Sequence, residues 1–98
     1  MMDLAGFEAS LAEGTPPEGL GRPLRALWHL GKGDWNEAHA VVQEDEADPT
    51  CAWVHAHLHR VEGDPSNARY WYRRAGQSYE AYADAKAELA AIKAALTY

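Results

Sequence analysis

The sequence predicts an all-α protein, in which two helical hairpins lie between an N-terminal and a C-terminal helix. Three observations lead to this prediction. Residues that end or begin helices recur along the chain as Gly-Asp and Asp-Pro pairs. The stretch 26–39 is repeated thirty positions later, in residues 56–69. No segment combines apolar–polar alternation with the β-branched residues typical of strands, so no sheet is expected.

The Gly-Asp and Asp-Pro pairs divide the chain into six predicted helices. Gly33–Asp34 and Gly63–Asp64 each place a helix-ending glycine before an N-cap aspartate. Asp48–Pro49 joins an N-cap to a proline in the first helical turn, where its missing N–H costs nothing. The predicted helices cover about residues 3–12, 23–32, 35–45, 49–62, 65–75 and 78–97, all within one domain that spans residues 1–98.

The repeated stretches each contain a helix, a tight Gly-Asp turn and a second helix. Matching positions hold the same residue at Ala26/Ala56, His29/His59, Gly33/Gly63, Asp34/Asp64 and Ala38/Ala68. A period of this length is typical of solenoids, whose stacked units bury a shared face. The two units cover about residues 22–47 and 49–76.

In these units a small residue lies midway along the first helix, and Gly-Asp forms the turn. In the second unit, "GDPSNARYWYRRAG" continues with an alanine and then an aromatic residue. This pattern resembles the tetratricopeptide repeat family, although the first unit departs from it in "VVQEDEADP" and is four residues shorter than usual. The resemblance implies a fragment of a right-handed α-solenoid. The combination of "GDW-AH" with "AW-HA-LHR-EGD" is also similar to a widespread group of small bacterial proteins, a likeness that implies no activity.

The last predicted helix, 78–97, is expected to cap the second unit. Its apolar residues recur at spacings of three and four and form one stripe on an otherwise polar helix. That stripe could cover the neighbouring hairpin or join two copies of the chain as a homodimer, and the sequence leaves both arrangements open. The stripe consists of Tyr82, Ala85, Leu89, Ile92 and Leu96.

The charge distribution argues against nucleic acid as a partner. The net charge is −6, and residues 1–50 hold ten acidic but three basic side chains. Such an acidic half repels phosphate backbones. No apolar run approaches the length of a membrane span, and the N-terminus shows no secretory signal, so we expect a cytoplasmic protein that does not contact a membrane.

Three histidines alternate in "AWVHAHLHRVEGDP" and raise the question of a metal site. On a helix, His55 and His59 lie about 40° apart, while His57 points to roughly the opposite side. The pair at i,i+4 could hold a metal ion if a third ligand joined it, with His39 or His29 as the candidates. The alternative is that both imidazoles are packed in the interior and hydrogen-bonded to Tyr, Trp or backbone groups. No cofactor is predicted, and the metal site of His39, His55 and His59 stands as the alternative hypothesis.

No group of residues indicates an enzyme. The single Cys51 follows several acids, which oppose thiolate formation, and the serines lie in cap or surface positions. The sequence contains neither a phosphate-binding loop nor a His-Glu-x-x-His motif.

We therefore expect a non-enzymatic module that binds a protein or peptide. The resemblance to tetratricopeptide repeats implies that the first helix of each hairpin lines a groove, with His57 exposed there. Trp53 either faces that groove or is covered by a terminal helix. The side chains expected to bind a partner are Trp53, His57, Arg60, Leu27 and Leu30.

Overall fold

Six α-helices and their connecting segments make up residues 2–98, the part of the chain that the computed structural model describes. They are α1 (Leu4–Ser10), α2 (Arg22–Gly31), α3 (Trp35–Gln43), α4 (Pro49–Glu62), α5 (Pro65–Ala75) and α6 (Ala85–Leu96). A 3₁₀ turn, Tyr79–Ala81, lies between α5 and α6. These residues include no β-strand, which confirms the all-α prediction.

Aspartate side chains begin five of these helices, as the sequence pattern predicted for three of them. The Asp34 carboxylate accepts a hydrogen bond from Glu37 N at 3.0 Å, and that of Asp48 accepts one from Cys51 N at 2.8 Å. Asp64 does the same for α5, with Asn67 N at 3.2 Å. Each cap satisfies a backbone N–H that has no partner inside its own helix.

The glycines of the Gly-Asp turns adopt a conformation that other residues avoid. Gly33 has φ +82° and Gly63 has φ +87°, both in the left-handed region. In each turn the following aspartate N–H bonds back to a histidine carbonyl, His29 O or His59 O, at 2.9 Å. The repeated sequence therefore gives two turns of the same geometry at the same offset.

Helix α4 lies at the centre of the fold. It packs against α2, α3, α5 and α6, and every residue from Cys51 to His59 is buried. The α2–α3 hairpin and the α4–α5 hairpin lie side by side, since both α2 and α3 contact α4. All the described buried apolar residues belong to one core cluster, which includes Phe7 of α1 and Ile92 of α6. Both ends of the chain therefore contribute to the interior.

The C-terminal helix begins later than the sequence predicted. Ser78 caps only the 3₁₀ turn, Tyr82 is extended (φ −126°, ψ 141°), and the helix starts after Asp84, which accepts a hydrogen bond from Ala87 N at 2.8 Å. The expected helix over 78–97 is therefore wrong in its first seven residues. The Asp84 cap, which was not predicted, fixes the start of α6.

No helix within residues 2–98 is both long enough and apolar enough to cross a membrane.

Candidate functional site

Helix α4 carries two groups of polar side chains on different sides. Trp53, His57 and Arg60 follow a spacing of four and three and point towards α6 and the segment before it. His55 and His59 point towards α3 and α5. We call the first group the α6-binding face and the second group, together with His39, the histidine cluster.

At the α6-binding face, a fully buried carboxylate of α6 accepts three hydrogen bonds. Glu88 is 0% exposed. Its Oε1 accepts from His57 Nδ1 at 2.7 Å and from the Tyr72 hydroxyl at 2.6 Å, and its Oε2 accepts from Trp53 Nε1 at 3.2 Å. Because a buried carboxylate is costly without such partners, these bonds fix the position of α6 on α4.

Arg60 holds the segment that leads into α6. Its guanidinium donates to the carbonyls of Tyr79 at 2.8 Å and Tyr82 at 3.1 Å. The same group lies 4.3 Å from the centre of the Tyr79 ring, a cation–π contact. The Tyr82 ring in turn stacks on Trp53, with ring centres 6.5 Å apart. All three side chains of the α6-binding face thus contact α6 or the segment that precedes it in the same chain.

This arrangement changes the expected partner surface. His57 was expected to be exposed and is 1% exposed, because α6 covers it. Trp53, at 9%, is covered by the C-terminal helix, one of the two arrangements left open by the sequence. Leu27 is also buried, at 1%, inside the core. A partner could not contact these three side chains while α6 is in place, whereas Leu30 and Arg60 remain half-buried.

In the histidine cluster, side chains from α3 and α4 meet. His39 Nε2 and His55 Nε2 share a hydrogen bond of 3.0 Å. One ring nitrogen from each of His39, His55 and His59 lies within 4.8 Å of the others. The structure therefore selects His39 as the third histidine, while His29 instead packs edge-on against Trp28.

Aromatic rings and one carboxylate surround the histidine cluster. Trp71 stacks on His55 with ring centres 3.9 Å apart, and Trp35 stacks on His39 at 4.8 Å. His59 Nδ1 donates to Glu62 Oε1 at 2.6 Å, which leaves the Nε2 lone pair of His59 free of that bond. His55 and His59 are buried, as the alternative of interior imidazoles expected, but their bonds run to His39 and Glu62 and not to Tyr, Trp or backbone groups.

Burial keeps part of the histidine cluster neutral. Loss of solvent around His55, followed by the proximity of His39 and His59, lowers the pKa of His55 to about 3. The pKa of His39 is lowered for the same reasons, burial first and then His59. Both rings are therefore neutral imidazoles at pH 7. The Nδ1 atom of His55 is buried and has no hydrogen-bond partner within residues 2–98.

Cys51 lies apart from both groups and is protonated. Burial, together with the hydrogen bond and negative charge of Asp48, raises the pKa of its thiol to about 12.

Several residues of these two groups were not predicted from the sequence. Glu88 was not considered, although it lies one position before Leu89 and four before Ile92 in the apolar stripe of α6. Glu62 follows His59 at i+3, a spacing at which helical side chains meet. The contact of Tyr72 with Glu88 and the stacking of Trp35 and Trp71 on the histidines were likewise not predicted.

Comparison of the chain with protein-family models, with curated proteins and with solved structures finds no match in any of the three.

Proposed function

We propose that this chain is a non-enzymatic protein-interaction module whose recognition element is the α6-binding face of α4. The observation that carries the proposal is the contact between Glu88 of α6 and the donors His57, Tyr72 and Trp53. This face binds a helix of the same chain. Its hydrogen-bond donors would bind the same helix equally well if it came from a separate molecule. Aromatic and arginine side chains are also the usual anchors of protein interfaces.

The geometry defines the chemistry of the helix that would fit. It needs an inward carboxylate at the position of Glu88 and an aliphatic side chain four residues later, where Ile92 is fully buried. The segment before it needs free backbone carbonyls for Arg60. A second copy of this chain supplies all three features through its own α6, so exchange of α6 between copies is the form of partner binding that we propose.

The proposal also includes the tetratricopeptide-like arrangement of the two hairpins and a cytoplasmic location. Support for the arrangement comes from the repeated left-handed glycines at Gly33 and Gly63 and from the small buried residues at Ala26 and Ala56, both 0% exposed.

The test supplies α6 as a separate molecule. A fluorescent peptide of residues 78–98 is titrated with the wild-type chain and with a Glu88→Ala chain, whose own α6 is weakened. In the wild type the tethered α6 competes at an effective concentration of the order of mM, so we expect no binding at micromolar peptide. The Glu88→Ala chain should bind it, and the matched control peptide carrying Glu88→Ala should bind at least ten-fold more weakly.

A His57→Ala substitution added to the Glu88→Ala chain should also remove the peptide binding. Equal binding of the two peptides would refute the proposal, as would failure of the native peptide to bind the folded Glu88→Ala chain. Light scattering at high protein concentration provides a second measurement, since exchange of α6 between copies produces dimers.

A further inference from the structure

We propose that His39, His55 and His59 bind one divalent transition-metal ion of the zinc, copper and nickel class. This inference is independent of the proposed α6-binding function, because the histidine cluster shares no side chain with the α6-binding face. Imidazole nitrogen suits all three metals, whereas calcium and magnesium prefer oxygen ligands.

The distances come close to those that such a site needs. At a metal–nitrogen distance of about 2.0–2.1 Å, two ligands of a tetrahedral ion lie about 3.3 Å apart. His39 Nε2 and His55 Nε2 are 3.0 Å apart, and the nitrogen of His59 lies within 4.8 Å of both. Small rotations of the side chains would bring the three nitrogens to equal distances from one ion.

Hydrogen bonding alone does not account for the histidine cluster. The three rings share a single mutual hydrogen bond, which joins the Nε2 atoms of His39 and His55. A metal ion would instead use the ring nitrogens of the three histidines that lie close to one another in this cluster.

Glu62 is a positioning residue in this proposal. A histidine that binds a metal almost always donates its other ring N–H to a carboxylate, a carbonyl or water. The bond of 2.6 Å from His59 Nδ1 to Glu62 Oε1 meets that requirement and orients Nε2 as the ligand. Within residues 2–98 no fourth side chain joins these three histidines in one group, so a fourth coordination position falls to water or to an added ligand.

The experiment uses the full chain, purified without a histidine tag and stripped with a chelator. Zn²⁺ is titrated by calorimetry, and Co²⁺ serves as a spectroscopic probe, because a four-coordinate nitrogen site gives strong visible bands. We expect one equivalent of Zn²⁺ to bind and to raise the melting temperature. Cu²⁺ should quench tryptophan fluorescence, since Trp71 and Trp35 stack on ligand rings.

The variants separate a metal site from a structural cluster. His39 is half-buried, so His39→Ala should fold, and we expect its Zn²⁺ affinity to fall at least 100-fold. Glu62→Gln should weaken binding by about 10- to 100-fold. His29→Ala removes the one histidine outside both groups and should bind like the wild type. Absence of saturable binding of Zn²⁺, Co²⁺ and Cu²⁺ to the wild type would overturn the proposal, as would unchanged affinity in His39→Ala.

Discussion

Removal of the Glu88 carboxylate should cost a large part of the stability of the fold. Glu88→Ala leaves His57, Tyr72 and Trp53 without their acceptor, and all three are buried or nearly so. Each buried donor left without an acceptor costs about 1–3 kcal/mol, so three such donors together cost about 3 kcal/mol or more. A chain of this size has a total stability of roughly 5–15 kcal/mol, so the loss is a third or more for a typical value.

Glu88→Gln provides the graded version of this change. The amide keeps the shape and one acceptor oxygen, but its NH₂ group meets at least one of the donors. An unsatisfied buried group costs about 1–3 kcal/mol, so this variant should fall between the wild type and Glu88→Ala. Glu46→Gln is the matched control, because Glu46 is exposed and its carboxylate has no hydrogen bond or ion pair within residues 2–98.

Urea unfolding followed by circular dichroism measures these differences. If α6 separates before the rest unfolds, the m value, which is the slope of the unfolding free energy against urea concentration, should also decrease. Less surface then remains to be exposed in the main transition. Stability of Glu88→Ala within about 1 kcal/mol of Glu46→Gln would refute the argument that one carboxylate satisfies three buried donors.

Two further measurements probe the α6-binding face and the turns. Burial raises the pKa of Glu88, but hydrogen bonds from His57, Tyr72 and Trp53 outweigh it, so the net pKa lies below its usual 4.5. The ionised Glu88 carboxylate therefore contributes its full stabilisation above its unfolded-state pKa, and this stabilisation is lost as the pH falls through the lower folded-state pKa. In urea titrations, the difference in stability between the wild type and Glu88→Gln should shrink below about pH 4.5. Gly63→Ala should cost about 1–2 kcal/mol, because φ is +87° there. Gly14 has open space around its Cβ position and no positive φ, so Gly14→Ala serves as the control. A comparable loss of stability in both variants would contradict this account.

Helix positions were predictable where the chain carries its own boundary signals. Asp34, Asp48 and Asp64 begin helices at the predicted residues because each signal involves only atoms within three residues. Asp84 gives the same local signal, but the apolar spacing that begins at Tyr82 suggested a longer helix. The structure shows that Tyr82 is extended and held by Arg60, a contact between residues 22 positions apart.

The histidine pair was predictable from helical geometry alone. The spacing of His55 and His59 places both on one side of α4 in any helix, so their proximity required no tertiary information. The choice of His39 over His29 did require it. Both residues belong to the first hairpin, and only the packing of α3 against α4 brings the imidazole of His39 to 3.0 Å from His55.

The accessibility of the α6-binding face could not be predicted from α4 itself. Helical spacing correctly places Trp53, His57 and Arg60 on one side, but it says nothing about which element covers that side. The missing information lies in α6, where Glu88 interrupts an apolar stripe at a position that also faces inward. A carboxylate in such a stripe needs donors on the surface it covers, and that surface offers the indole and imidazole of α4 and the Tyr72 hydroxyl of α5. A charged residue inside an apolar stripe is therefore a sign of which surface the helix covers.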